Sequence, residues 1–344
     1  MIKRSDKKQT NAVKPLVPSF AANPEGYKTT YQNNAINQLT RVNTKKDKPD
    51  KDAPAFQRKY SNENISILMK KAATELTPQV NQHLVYIMTR FFEQSNKEDS
   101  LEVDFTLKEY KADFGKKDSK SARKTLEKVF DDLTDLRFEY HGGNDKKKKD
   151  QPFTYLVPIP FAHYERGKAK VQFVPAFRDM LLNGTMLMYI HPLYFKLNPY
   201  REAVAQSILY EMAVNKRTNA SNKSRQDHIS IKSLLPKIHS LPSYEEVLSK
   251  DGAVTQKIID PFNNALERLA KPEDGAFSDY YILDKNNKPL FDESRTDDVT
   301  YDDFINSYLF VQWKDYPEDV LKTVGDKKKA ADKKSKKDMA AKQQ

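Results

Sequence analysis

Two helical periods, TLKEYKADF (Thr106–Phe114) and SKSARKTLEKVFDDL (Ser119–Leu133), are separated by only four residues, the first of them Gly115. Thr106 followed by Glu109 has the spacing of a capping box, and Gly115 stands where a helix C-cap needs a left-handed residue. The second period sets Ala122, Leu126, Val129, Phe130 and Leu133 on one stripe. A helix ended by glycine cannot run straight into the next, so the pair must turn and bury its apolar sides in one core. The strand-like LEVDF (Leu101–Phe105) comes before. Behind it come Arg137–Tyr140, a Gly142-Gly143 turn and a second strand, Phe153–Pro158. Strand, helix, turn, helix and ribbon is the order of a winged helix-turn-helix.

The surrounding pattern extends this unit and then repeats it. Gln79–Phe92 is an amphipathic helix, PFAHYERGKAKVQFV a further hairpin turning at Glu165–Lys168, and Pro175 opens a short helix. Pro199–Val214 then reads as helix, Asn215–Asp227 as a polar loop and Ser230–Leu235 as the first helix of a second helix-turn-helix. Val254–Leu269 is its recognition helix, with Ile258, Phe262, Ala265, Leu266 and Leu269 inward and a kink or restart at Pro261. Two aromatic strands, SDYYILDK and NSYLFVQW, follow, separated by an acidic loop over 285–303. The expected fold class is α+β, with two winged helix-turn-helix domains in tandem, 60–185 and 186–315. Disordered basic tails, 1–59 and 316–344, are expected to flank them.

The formal charge of +11 suggests a polyanion partner, but its distribution matters more. Residues 1–59 carry 13 Lys/Arg against 5 Asp/Glu, and residues 322–344 carry 9 Lys against 3 Asp. Subtracting these (+8 and +6) leaves −3 for residues 60–321. A basic patch inside that span is therefore selective. Lys116–Lys128 is such a patch, with six cations (Lys116, Lys117, Lys120, Arg123, Lys124, Lys128) against Asp118 and Glu127. A solvated helix normally mixes its charges. Ser119 and Ser121 stand at its N-terminal end, where a recognition helix meets base edges. Lys146, Lys147, Lys148 and Lys149 are read as a wing tip for phosphate or the minor groove. In the second unit, Lys216, Arg217, Lys223 and Arg225 are expected to grip backbone from a loop. Thr255, Gln256 and Lys257 are expected to face DNA, with Asn263, Asn264 and Arg268 as further polar groups on that helix.

At these residues the chain resembles the replication initiator (Rep) proteins of iteron-type bacterial plasmids. The likeness lies in VQFVPAFRDMLLN leading to PLYFKLNPYREAVAQSILYEM, in KIIDPFNNALERL, and in the helix-and-ribbon order around Gly115–Pro158. It implies two winged-helix domains that bind directly repeated origin DNA and recruit host replication proteins. It also implies repression of the chain's own gene as a homodimer, and no catalytic site. The acidic 285–303 segment departs from a compact wing.

Other readings are weaker. With no cysteine there is no disulfide, thiolate metal site or thiol nucleophile. The six histidines (His83, His141, His163, His191, His228, His239) show no metal-ligand spacing and no His-apolar-His pair of the kind a rolling-circle nickase uses. No phosphate-binding glycine loop occurs. Neither enzyme activity nor a cofactor or metal is expected, and His191 reads as structural. No run approaches the ~18 apolar residues of a membrane span, so a cytoplasmic protein without membrane contact is expected. A winged-helix transcriptional regulator of a mobile element is the main alternative, ahead of a nickase.

Overall fold

The computed structural model describes residues 26–32, 58–62, 65–69, 77–94, 99–141, 153–182, 186–220, 222–238, 240–250, 252–291 and 299–317. Three strands come first: β1 (Lys28–Gln32), β2 (Arg58–Asn62) and β3 (Ile65–Met69). Helix α1 (Pro78–Glu93) opens on Thr77, whose hydroxyl accepts from the Val80 amide, with Pro78 where its missing N–H costs nothing. The helix is buried on nearly all sides, and its Leu84, Ile87, Met88 and Phe91 stand at the centre of the main hydrophobic core.

β4 (Glu102–Thr106) leads through Thr106 into α2 (Leu107–Asp113). The capping box is formed: the Glu109 amide donates to Thr106 Oγ1 at 3.1 Å, and the Thr106 amide donates to Glu109 Oε2 at 2.7 Å. Gly115, at φ +60°, ends α2 with the Lys116 amide on Lys111 O (2.8 Å) and its own on Ala112 O (3.3 Å). These are the paired bonds of a Schellman turn. α3 (Ser119–Asp135) follows, capped by Asp118, which accepts from the Lys120 and Ser121 amides. Ala122, Leu126, Val129, Phe130 and Leu133 are all buried. The four larger ones contribute roughly 1.5–3 kcal/mol each by burial. Next come β5 (Leu136–His141), β6 (Phe153–Leu156), β7 (Phe161–Glu165) and β8 (Lys168–Gln172).

The three-stranded sheet is ordered β4-β8-β7. Helix, strand, two helices and a closing hairpin, with the first strand beside the last, is the winged-helix arrangement. The wing is thus β7–β8, not the ribbon over 137–158. β5 pairs with β6 on one side and β3 on the other, in a separate sheet ordered β2-β3-β5-β6.

The second half repeats the plan. α4 (Pro175–Leu182), β9 (Met186–Ile190) and α5 (Leu193–Lys196) form the passage to α6 (Ala203–Thr218). Gln82 of α1 donates from Nε2 to the Tyr194, Phe195 and Leu197 carbonyls at 2.9–3.2 Å, and Gln206 of α6 donates to Tyr194 O. The passage is held from both sides. After α7 (Lys223–Gln226) come β10 (His228–Ser230), α8 (Ile231–Leu234) with a 3₁₀ turn at Leu235–Lys237, and α9 (Tyr244–Leu248). A π turn over Thr255–Ile259 runs into α10 (Asp260–Leu269). Pro261 has no N–H for the Lys257 carbonyl and its ring crowds it, so the helix widens there before resuming. β11 (Phe277–Leu283), α11 (Tyr301–Ile305) and β12 (Tyr308–Trp313) complete it. The sheet order, β10-β12-β11, matches β4-β8-β7. The fold is α+β with two winged-helix units in tandem.

Three further readings are corrected. Residues 26–32 are not disordered tail: β1 pairs with β9, and Tyr27, Thr29 and Thr30 are buried. Tyr316, assigned to the other tail, is buried against Tyr27. Helix α6 extends to Thr218, so the loop read from Asn215 begins later. Asn215 caps that corner by donating to the Arg225, Gln226 and His228 carbonyls.

Candidate nucleic-acid interface

α3 is the second helix of the first helix-turn-helix, and its outward side is basic. Lys116, Lys117, Ser119, Lys120, Ser121, Arg123, Lys124 and Lys128 are all exposed. The buried stripe rests on α1 and α2, so the charged face is fixed outward by packing. Ser119 Oγ accepts from Lys111 Nζ at 2.8 Å, which places another cation beside the helix start. Arg123 lies 5.5 Å from the ring centroid of Tyr164 on β7, a cation–π approach that joins recognition helix and wing. A cleft of about 430 Å³ runs between the two, lined by Arg123, Glu127, Phe130, Asp131 and Tyr164 among others.

The wing tip was missed as such in the sequence. β7 and β8 close through a two-residue turn, Arg166 (φ 48°) and Gly167 (φ 81°), both left-handed as a tight hairpin requires. Arg166 is 90% exposed, and Lys168 and His163 are also exposed. The signal was present in the ERGK turn between alternating segments. Lys146–Lys149, read as the wing tip, lie outside the described residues.

In the second unit the predicted residues separate. Lys223 and Arg225 are exposed on α7, and Thr255 and Gln256 are exposed on the π turn, with Lys257 half-buried. Lys216 and Arg217 cannot grip DNA backbone, because both are buried in α6. Lys216 Nζ pairs with Asp227 at 2.7 Å and lies 4.8 Å from the Tyr316 ring centroid. Arg268 is committed internally, to Glu202 Oε1 at 2.8 Å and to both Asp274 oxygens at 2.9 Å. Asn264 is exposed and Asn263 half-buried.

The histidines beside this frame are structural. His83 is buried, its Nδ1 donating to Gln79 O (2.7 Å) and its Nε2 accepting from Tyr110 Oη (2.9 Å). Burial lowers its pKa to about 4, so it stays neutral. His191 is lowered to about 4 as well, by burial first and then by Lys196 and Lys314. Its Nδ1 accepts from the Leu193 amide. Among the described residues no group of His, Asp and Glu has the arrangement of a metal site, and no helix is long and apolar enough to cross a membrane.

No curated protein matches the chain. Among solved structures, it is similar to domains 2 and 3 of RctB at 11% identity and a TM-score of 0.44, covering 80% of this chain and 98% of that one. It is also similar to the Pi initiator protein in complex with iteron DNA, at 10% identity and 0.44, covering 86% and 100%. A second structure of RctB domains 2-3 gives 14% identity and 0.41, covering 77% and 93%. Residues 57–190 match the family described as "Initiator Replication protein, WH1". That span contains α1–α3, the wing and β9, and it agrees with the resemblance to replication initiators read from the sequence. Over residues 57–190 the chain is thus similar to the WH1 domain of initiator replication proteins.

Proposed function

We propose that this chain starts plasmid replication by binding directly repeated origin DNA through its two winged helices, with α3 and the Thr255–Leu269 helix in successive major grooves. The observation that carries this reading is the exposed basic face of α3, in the recognition position of a domain matched to replication initiators. A net-acidic central span with a locally basic recognition helix suits selective contact better than general polyanion binding. Lys120, Arg123 and Lys124 supply phosphate and base-edge contacts from α3. Arg166 and Lys168 flank them from the wing. Thr255, Gln256 and Lys257, with Lys223 and Arg225, serve the second unit.

The same binding would place the chain over its own promoter as a repressor and bring host replication proteins to the origin. Its work is non-catalytic: it organises DNA for enzymes supplied by the host. A minimal plasmid bearing the gene and its flanking DNA tests this. Autonomous replication is expected, lost on deletion of the repeats. Promoter repression without replication would instead identify a transcriptional regulator.

A further inference from the structure

Segment 26–32 touches both winged helices at once. β1 adds antiparallel to β9, from Lys28 opposite Ile190 to Gln32 opposite Met186, and among the described residues this ribbon joins no other sheet. An isolated two-stranded ribbon is marginal in water, so side chains must hold it. Tyr27 is 2% exposed, and its ring meets Tyr189, His191 and Tyr316 edge-on at centroid distances of 4.9–6.4 Å. Its hydroxyl donates to Lys314 O at 2.9 Å, just past the last strand of the second sheet. Lys28 Nζ lies 3.0 Å from Glu93 and 3.3 Å from Asp113, the final residues of α1 and α2. Seven residues thus grip the ends of both helices that support α3, the passage between the units, and the far end of the second unit.

We propose that Tyr27 and Lys28 are positioning residues, and that this strap fixes the first recognition helix relative to the second winged helix. The Gln82 clasp holds the passage itself, whereas the strap is the element that reaches from α2 to Lys314 and Tyr316. Its consequence for DNA rests on the proposed function. Two linked modules gain from each other only while their geometry lets both engage. The strap therefore sets which half-site spacing the chain accepts.

The absence of cysteine makes the direct test simple. Spin labels at Glu127→Cys on α3 and Glu267→Cys on α10, both exposed positions, report the separation of the two helices in the full chain by double electron–electron resonance. A single narrow distance is expected. Tyr27→Ala broadens or shifts it, and Lys28→Met does so to a smaller extent, with circular dichroism unchanged. Should Tyr27→Ala unfold, Lys28→Met, which leaves the aromatic cluster intact, carries the test. An unchanged distribution in the folded variants overturns the proposal. On DNA, the strap variants lose about a hundredfold on a duplex with both half-sites while keeping parental affinity for a duplex with one. Equal loss on both probes also overturns it. A parent chain that binds no duplex at all would contradict the DNA reading and leave the distance result standing.

Discussion

Replacing Lys120, Arg123 and Lys124 together with Ala removes three outward cations from α3 and no buried atom of its apolar stripe. If each neutralises one phosphate, the observed constant falls with salt as about the 0.9 power per contact. At ~0.1 M salt one contact is then worth about eightfold, and three about 500-fold, or roughly 4 kcal/mol. Stability should change little, since exposed substitutions stay within about 0.5 kcal/mol each. Arg123 adds only the loss of its approach to the Tyr164 ring, about 0.5–1 kcal/mol. Fluorescence anisotropy on a repeat-containing duplex across a salt series reads both quantities. The slope of log K against log salt should drop by about 2.7 while the melting temperature stays nearly fixed. Retained affinity with an unchanged slope would refute the placement of α3 on DNA.

Further outcomes follow from individual contacts. Thr106→Ala removes the capping-box hydroxyl and should cost about 1 kcal/mol, read by urea unfolding. Lys216→Ala should cost about 2 kcal/mol, below the ~3–5 of a fully buried pair because Asp227 is 26% exposed. It should destabilise the chain without altering the salt slope of DNA binding, the opposite of the α3 triple variant. His83 is neutral in the fold with its pKa lowered to about 4 from 6.5, so the unfolded chain takes up its proton first as pH falls. Its contribution is fully present above pH ~6.5 and is lost progressively towards pH 4. Denaturant unfolding should show this loss, and His83→Gln should flatten that part of the profile, with His191 leaving a similar residue of pH dependence.

The elements most legible in the sequence were those whose signals are local. Thr106 and Glu109, Gly115 and the Ala122–Leu133 stripe each depend on neighbours within one or two turns, and each appears as read. Non-local pairing was not legible. Arg137–Tyr140 and Phe161–Glu165 both look like strands with a nearby turn, and no residue in either says which one shares a ladder with β4. Only the β4–β8 register, Glu102 opposite Gln172 through Thr106 opposite Lys168, decides which hairpin is the wing. The same limit hid β1, a short strand in a polar, lysine-rich context whose partner lies some 160 residues away. Lys216 and Arg217 misled for a related reason. Their charge suggests solvent, but for Lys216 the Asp227 carboxylate and the Tyr316 ring, the latter 100 residues away, make burial tolerable. The short helix α9 carried its own signal, Ser243 and Glu246 in capping-box spacing, within a stretch of few apolar residues.

Hydroxyl-radical footprinting of the full chain on the DNA flanking its gene tests the DNA reading most directly. Two winged helices in tandem should protect each repeat as two patches about one helical turn apart, within repeats of ~20 bp. The α3 triple variant should lose only the patch read by the first unit. Uniform protection without sequence preference, or a single patch per repeat that survives the α3 substitutions, would contradict origin recognition by paired winged helices.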